Sequence, residues 1–337
     1  MNKRIYYNPF FLLLFAFVFM GCQFVVAVEN PAYAKKQKTT KKHLHKKGSH
    51  VAYTAPHISS IIIDYDTNKV LEAENPDALH YPASLTKMMT LYLTFEALKT
   101  NHLTLSQSIP VSAHAAGQPQ TNISLSVGDH IAVKDAILSI VVRSANDSAV
   151  TLGEALGGSE AGFAQQMTRK AARLGMKNTT FRNASGLPEP AQHTTARDMA
   201  MLGMALKRDF PQYFPFFKTE SFSFRDKTYI THNHVMMRYD GVDGIKTGFI
   251  RASGFNLVTS VNRDGHRLVG VVLGGSTWKS RDDHMIALLD KTFTQLASIP
   301  ANRTQLPASI KNRKLNTLKG SSSEDGSEGE GDAHNDK

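Results

Sequence analysis

From residue 58 onward the apolar positions fall into two periods. The runs 58–64 and 69–73 are rich in β-formers and flank Asp66-Thr67-Asn68, whose Asp and Asn favour a tight turn, so they predict a hairpin. Leu85, Met88, Met89, Tyr92, Phe95 and Leu98 then recur at helical spacing and predict a helix over 84–98. Its apolar surface is almost continuous, which places it in the interior. Further helices are predicted over 133–142, 147–156, 162–174 and 196–206, each bounded by Gly, Asn or Ser. Three strands follow, 244–249, 254–261 and 268–273, the last two joined by Asn262-Arg263-Asp264-Gly265. A final helix runs from 278 to about 296. A hairpin, a block of helices, then antiparallel strands and a helix read as an α+β fold. The two ends of this order share one sheet and the helices form an inserted lobe.

The flanks have a different character. Lys3 and Arg4 precede an apolar run over 10–20, and Ala32-Tyr33-Ala34 offers small residues at the positions a signal peptidase reads, so 1–34 is expected to be a secretory signal peptide. Two other fates fit the same stretch: a retained membrane anchor reaching Val28, or lipid attachment at Cys22. Residues 35–56 are rich in Lys, His and Thr without hydrophobic periodicity and are expected to be a disordered arm; His43 and His45 within it do not make a metal site. An ordered domain is expected over 57–298 and a disordered acidic tail over 299–337.

Composition narrows the class. With 41% apolar residues among 337 and a mean hydropathy of -0.27, the chain is neither wholly disordered, collagen-like nor a polytopic membrane protein. Cys22 is the single cysteine, which excludes a disulfide framework and a cysteine-based zinc site. Of the net charge of +10, residues 35–50 carry +7, residues 51–319 carry +7 and residues 320–337 carry -5. The arm from Lys35 to Lys47 therefore suits an anionic wall polymer or membrane surface. Nucleic acid, which a pI of 9.5 alone would suggest, is excluded as a partner by the export signal.

Three short strings carry candidate chemistry. Ser84-Leu85-Thr86-Lys87 sets a hydroxyl and an amine on one face of a helix. A serine hydroxyl needs a base to take its proton, and a lysine is that base only when neutral, which burial and a second cation both promote. Pro82 and Ala83 put the helix start at the serine, so its own N–H lies among free amides where an oxyanion could bind. The pattern is common, and Ser276-Thr277-Trp278-Lys279 repeats it; Ser84 stands apart because an exposed lysine would be out of place on so apolar a helix. Ser144-Ala145-Asn146 falls between two predicted helices, where its hydroxyl and carboxamide can bridge the lysine and a substrate amide. Read alone it fits a helix cap as well, and Ser260-Val261-Asn262 matches it. Lys246-Thr247-Gly248 lies in a predicted strand and offers a charge for an anionic substrate, a hydroxyl, and a glycine that lets another backbone approach an edge strand.

In this order the three strings form the set shared by β-lactamases and penicillin-binding proteins. The longer strings Tyr81-Pro82-Ala83-Ser84-Leu85-Thr86-Lys87-Met88-Met89-Thr90, Asn183-Ala184-Ser185-Gly186-Leu187 and Gly241-Val242-Asp243-Gly244-Ile245-Lys246-Thr247-Gly248 closely resemble the low-molecular-mass penicillin-binding proteins. These are the serine D-alanyl-D-alanine carboxypeptidases of peptidase family S11, and the resemblance covers residues 55–297. It implies a β-lactamase/transpeptidase-like fold, an antiparallel sheet flanked by helices with an inserted helical lobe. It implies trimming of peptidoglycan stem peptides through an acyl-enzyme on Ser84, with Lys87 as base, Ser144 relaying a proton to the leaving amine and Asn146 holding the substrate backbone. Lys246, Thr247 and Arg281 would meet the terminal carboxylate, Gly248 would let the peptide lie along the strand, and the N–H groups of Ser84 and Phe249 would form the oxyanion hole. β-Lactams would act as covalent inhibitors, no metal or organic cofactor would be needed, and the place of action would be the periplasm or cell envelope.

Other readings share the strings. Class A β-lactamases use a Glu-x-x-x-Asn loop, and none of Glu154, Glu160, Glu189 and Glu220 begins one. A D,D-endopeptidase cutting crosslinks uses the same chemistry. Many carboxypeptidases of the family carry a second β-rich domain and an amphipathic anchor helix, where this chain has a charged tail, which is the argument for the endopeptidase and leaves membrane association open. A noncatalytic wall-binding protein would not need all three strings intact. His232-Asn233-His234 resembles a nuclease string without a ligand set beside it and reads as a loop before the Lys-Thr-Gly strand.

Overall fold

The computed structural model describes residues 57–298; the expected signal peptide, basic arm and acidic tail lie outside the described residues. The hairpin forms as β1 (Ser59–Asp64) and β2 (Val70–Glu74). Asp64 shapes its turn by accepting from the N–H groups of Asp66 and Thr67 at 3.0 and 2.7 Å. A 3-10 turn at Ala83–Leu85 leads into α1 (Thr86–Lys99). The lobe follows: β3 (Ser108–Pro110), α2 (Ala113–Ala116), β4 (His130–Ala132), α3 (Val133–Val142), α4 (Asn146–Gly157), α5 (Glu160–Arg173) and α6 (Ala196–Asp209). The chain returns through the hairpin β5 (Ser221–Phe224) and β6 (Lys227–Ile230), the short α7 (His234–Arg238), and the long strands β7 (Val242–Ile250), β8 (Gly254–Arg263) and β9 (His266–Gly275). It closes on α8 (Trp278–Ala297).

The main sheet has the order β2-β1-β9-β8-β7 and is antiparallel throughout. The first hairpin thus pairs with the last strand, as expected, and β7 is left as an edge. Both faces of the central strands are covered, which explains why β9 is buried without interruption from Leu268 to Gly275. Along β9, Leu268 and Val272 face one core with Met285, Leu289 and Phe293 of α8, while Val269, Val271 and Leu273 face the other core, shared with α1 and α6. Two glycines set the spacing. A Cβ at Gly203 of α6 would meet Val269, Ile245 and Val258 at 3.1–3.3 Å, and one at Gly270 of β9 would meet Ile62 and Met285 at 2.8 Å. The β8–β9 turn narrows to Asp264-Gly265, both with positive φ, the geometry that matches strand twist in a two-residue hairpin.

α1 is buried on nearly every side, from Thr86 to Phe95 without interruption. It differs from expectation at its start, where Ser84 sits in the 3-10 turn ahead of the helix rather than within it. Among the described residues no helix is long and apolar enough to cross a membrane.

Candidate active site

Three backbone segments meet at the turn that carries Ser84. Ala83 adopts φ +49°, a left-handed conformation that costs a non-glycine residue free energy and so needs support from its surroundings. Support comes from two sides. Gly186 (φ +85°) packs so tightly that a Cβ there would overlap the Ala83 carbonyl at 1.8 Å, and a Cβ at Gly248 would come within 3.1–3.2 Å of the Ser84 and Leu85 nitrogens. Below the turn, the Asn256 side chain on β8 donates to the carbonyls of Tyr81 and Pro82 at 3.2 and 3.4 Å and accepts from Gly274 N–H at 3.0 Å.

Lys87 follows one turn later, its side chain fully buried. Its Nζ lies 3.0 Å from Ser84 Oγ and donates to Asn146 Oδ1 at 2.7 Å and to the Ser185 carbonyl at 2.6 Å. Asn146 is oriented in turn by donating through Nδ2 to the Pro119 carbonyl at 2.9 Å. Burial, with the Lys246 cation adding to it and Asp147 opposing, holds the Lys87 amine well below the usual lysine range. Ser144 stands between α3 and α4 at φ +61°. Its carbonyl accepts from Thr121 Oγ1 at 2.8 Å, while its own buried Oγ has no partner among the described residues.

Lys246 and Thr247 lie on the edge strand β7, both buried. Lys246 Nζ donates to the Thr247 carbonyl at 2.9 Å, and burial with the Arg281 cation brings its amine down to about 7. Arg281 sits in the first turn of α8, 3% exposed, donating from Nε and Nη2 to Asp282 Oδ1 at 2.8 and 2.5 Å and from Nη1 to the Asn256 carbonyl at 3.1 Å. Ser84, Ser144, Asn146, Thr247, Gly248, Phe249 and Arg281 line one cleft of about 430 Å³, with Lys87 and Lys246 buried behind it. The sequence-derived residues are therefore brought together. The serines and the lysine of the two rival strings lie outside the cleft. Ser276 precedes α8, where Thr277 and Ser280 form a capping box and the exposed Lys279 pairs with Asp283, whereas Ser260 is interior to β8 and accepts from Lys207.

Several contributors escaped the sequence reading. The Ser185 carbonyl and the Asn256 carboxamide are one reason: a backbone acceptor has no side-chain signature, and a strand Asn looks like any other. His232 and His234, read from the sequence only as a loop, line the cleft, as do exposed Trp278 and the ring of Phe249, a residue expected there only for its N–H. Burial, then Lys246, brings the His232 imidazole down to about 4, so it is neutral near pH 7. None of the residues lining the cleft is a carboxylate. The arrangement offers a hydroxyl with a base on one side and buried cations on the other, suited to acyl transfer from a substrate that ends in an anion.

The model of the D-alanyl-D-alanine carboxypeptidase family matches residues 46–277. A D-alanyl-D-alanine carboxypeptidase of Bacillus subtilis, DacF, is 34% identical over 275 residues, covering 80% of this chain and 70% of the relative. The crystal structure of penicillin binding protein 5 from Haemophilus influenzae superposes with a TM-score of 0.68 at 33% identity, covering 72% of each chain. That of penicillin-binding protein D2 from Listeria monocytogenes, in its cefotaxime-bound form, does so with a TM-score of 0.64 at 26% identity, covering 70% of this chain and 96% of the other. The chain spans 60 to 70% of the length of the curated carboxypeptidases it matches. Because the family model takes in more than half of the chain, this protein belongs to the D-alanyl-D-alanine carboxypeptidase family, peptidase family S11.

Proposed function

We propose that the cleft is the acyl-transfer site of a serine-type D-alanyl-D-alanine carboxypeptidase that trims peptidoglycan stem peptides in the cell envelope. The observation that carries this reading is the seating of Lys87. A neutral amine has two N–H donors and one lone pair; Asn146 Oδ1 and the Ser185 carbonyl take two donors, which leaves the lone pair facing Ser84 Oγ at 3.0 Å. Ser84 Oγ attacks the carbonyl of the penultimate D-alanine as its proton passes to Lys87. The C–N bond then breaks, and the leaving D-alanine amine takes a proton through Ser144, whose unpartnered Oγ is free to relay it. Water attacks the ester and releases the trimmed peptide. Lys246, Thr247 and Arg281 hold the terminal carboxylate, and the N–H groups of Ser84 and Phe249 face the oxyanion. A β-lactam presents its strained amide at the same place and acylates the same oxygen.

Labelled penicillin followed by digestion and mass mapping tests the assignment. The adduct is expected on Ser84 and absent from Ser84→Ala; an adduct on Ser276, or rapid turnover of the antibiotic, overturns it. With a muropeptide ending in D-alanyl-D-alanine the expected product is free D-alanine. Cleavage of a crosslinked dimer without release of D-alanine from the monomer assigns the chain to D,D-endopeptidases instead.

A further inference from the structure

Glu160, one of the four glutamates that begin no β-lactamase string, opens α5 away from the cleft, yet both of its carboxylate oxygens are engaged in what supports Lys87. Oε1 accepts from the Ala184 N–H at 2.9 Å. Ala184 immediately precedes Ser185, whose carbonyl receives Lys87, and its own carbonyl receives Thr90 Oγ1 of α1 at 2.7 Å. Oε2 lies 2.6 Å from His114 Nε2 on α2. The chain leaving α2 carries Pro119, acceptor for Asn146, and Thr121, acceptor for the Asn146 N–H at 2.7 Å. One largely buried carboxylate, its side chain 15% exposed, thus joins the loop bearing one acceptor of Lys87 to the segment that orients the other.

We propose that Glu160 is a positioning residue for acylation, clamping the Ser185 loop and, through His114, the segment that orients Asn146, so that both acceptors of Lys87 stay in register with Ser84. The inference rests on the reading of Ser84 and Lys87 as nucleophile and base. Its physical basis is that a lone pair is aimed only if both N–H groups are fixed. The Ser185 carbonyl belongs to a five-residue loop, 183–187, which makes two bonds within itself, Gly186 N–H to Asn183 Oδ1 at 2.7 Å and Asn183 Nδ2 to the Leu187 carbonyl at 3.0 Å, and is held at its far end by Gln192 Nε2 donating to the Leu187 carbonyl at 3.3 Å. Thr90 and Glu160 anchor it from outside at Ala184, and of the two only Glu160 also reaches the Asn146 side. A misplacement of about 1 Å in such a constellation can cost roughly 100-fold in rate.

Stopped-flow acylation by labelled penicillin separates binding from the chemical step. Glu160→Ala is expected to slow the acylation step about 10- to 100-fold with the dissociation constant of the initial complex unchanged. Glu160→Gln keeps an oxygen for Ala184 and is expected within about 3-fold of the parent. His114→Ala, which loosens only the Asn146 side, is expected to fall between them and keeps the test open should Glu160→Ala fail to fold. Rescue by Gln together with an unchanged initial complex is what a merely structural glutamate does not produce. Glu160→Ala acylating at the parent rate, Gln and Ala losing equally, or His114→Ala matching the parent overturns the clamp. A parent protein that takes no label at all overturns the functional reading itself, which is a separate result.

Discussion

At the scale of single residues, the site is built on amines held where water cannot solvate their charge. Lys87 and Lys246 are both buried, and each is pushed toward its neutral form first by burial and then by a neighbouring cation. Acylation is therefore expected to fall on acidification through an apparent pKa well below the roughly 10.4 of a free lysine. In Lys246→Met the repulsion on Lys87 is gone, its pKa rises, and the acid limb of the pH–rate profile should move to higher pH; an unmoved limb would show that the two amines do not communicate. Arg281 poses a different question, because three of its N–H groups already serve Asp282 and the Asn256 carbonyl. A guanidinium carries five, so two remain for a carboxylate in the cleft it lines. Charge-assisted bonds are worth roughly 1.5 to 3 kcal/mol, so Arg281→Ala should lower kcat/KM about 10- to 150-fold on a peptide with a free D-alanyl-D-alanine terminus. The C-terminally amidated peptide should lose far less. Comparing two substrates on one variant cancels whatever Asp282, left buried without its partner, costs the fold; equal losses would assign Arg281 to structure alone.

At the scale of elements, the parts legible in the sequence are those whose pattern is set by burial on a large surface. α1, α8 and the strands of the main sheet declare themselves because each packs against one or two cores over many residues. β3, β4, β5, β6 and α7 do not, being three to five residues long and held by their neighbours rather than by periodicity. The start of α1 shows the same limit more sharply: nothing about an alanine announces a left-handed backbone, and Ala83 takes one because Gly186 and Gly248 press on the turn from two other segments. The strings that carry the chemistry were readable, whereas their supports were not. His80 belongs to those supports. It is 2% exposed, joins the segment before the site to β1 through Ser59 Oγ at 2.8 Å, and exchanges backbone bonds with Thr194 at 2.9 Å. Burial, with His57 adding to it, lowers its imidazole from 6.5 to about 4. Above pH 6.5 the ring is neutral folded or unfolded, and its contribution to stability is fully present; as pH falls the unfolded chain binds the proton first, and that contribution is lost down to about pH 4. The loss amounts to about 3 kcal/mol at 1.36 kcal/mol per pH unit. Urea unfolding across this range should show it, and His80→Gln should flatten the slope by that amount even though Asp147 and Asp198, raised by burial, act in the opposite direction. Parallel curves for the two proteins would mean that His80 takes up its proton as readily in the fold as in the unfolded chain.

At the scale of the whole molecule, charge and fold are kept apart. Residues 57–298, which hold the sheet, the lobe and the cleft, carry a net charge of only +2, while residues 35–50 carry +7, residues 299–319 carry +5 and residues 320–337 carry -5. Lys87, Lys246 and Arg281 are buried, so attraction to an extended polyanion is expected from the charged segments outside the described residues rather than from the cleft. Such attraction is sequence-independent and decays over a Debye length of about 8 Å at physiological salt, so it concentrates the protein near a surface without altering chemistry inside a desolvated cleft. Removing residues 35–50 is therefore expected to weaken co-sedimentation with anionic wall polymer or anionic lipid vesicles at low salt, to leave hydrolysis of a small peptide unchanged, and to lose its effect as salt is raised. Equal sedimentation of the truncated and full-length proteins at low salt would exclude the basic arm as the adhesive. The +5 of residues 299–319 would then be the remaining candidate, provided the acids that follow do not neutralise it, and deleting residues 320–337 should strengthen binding in that case.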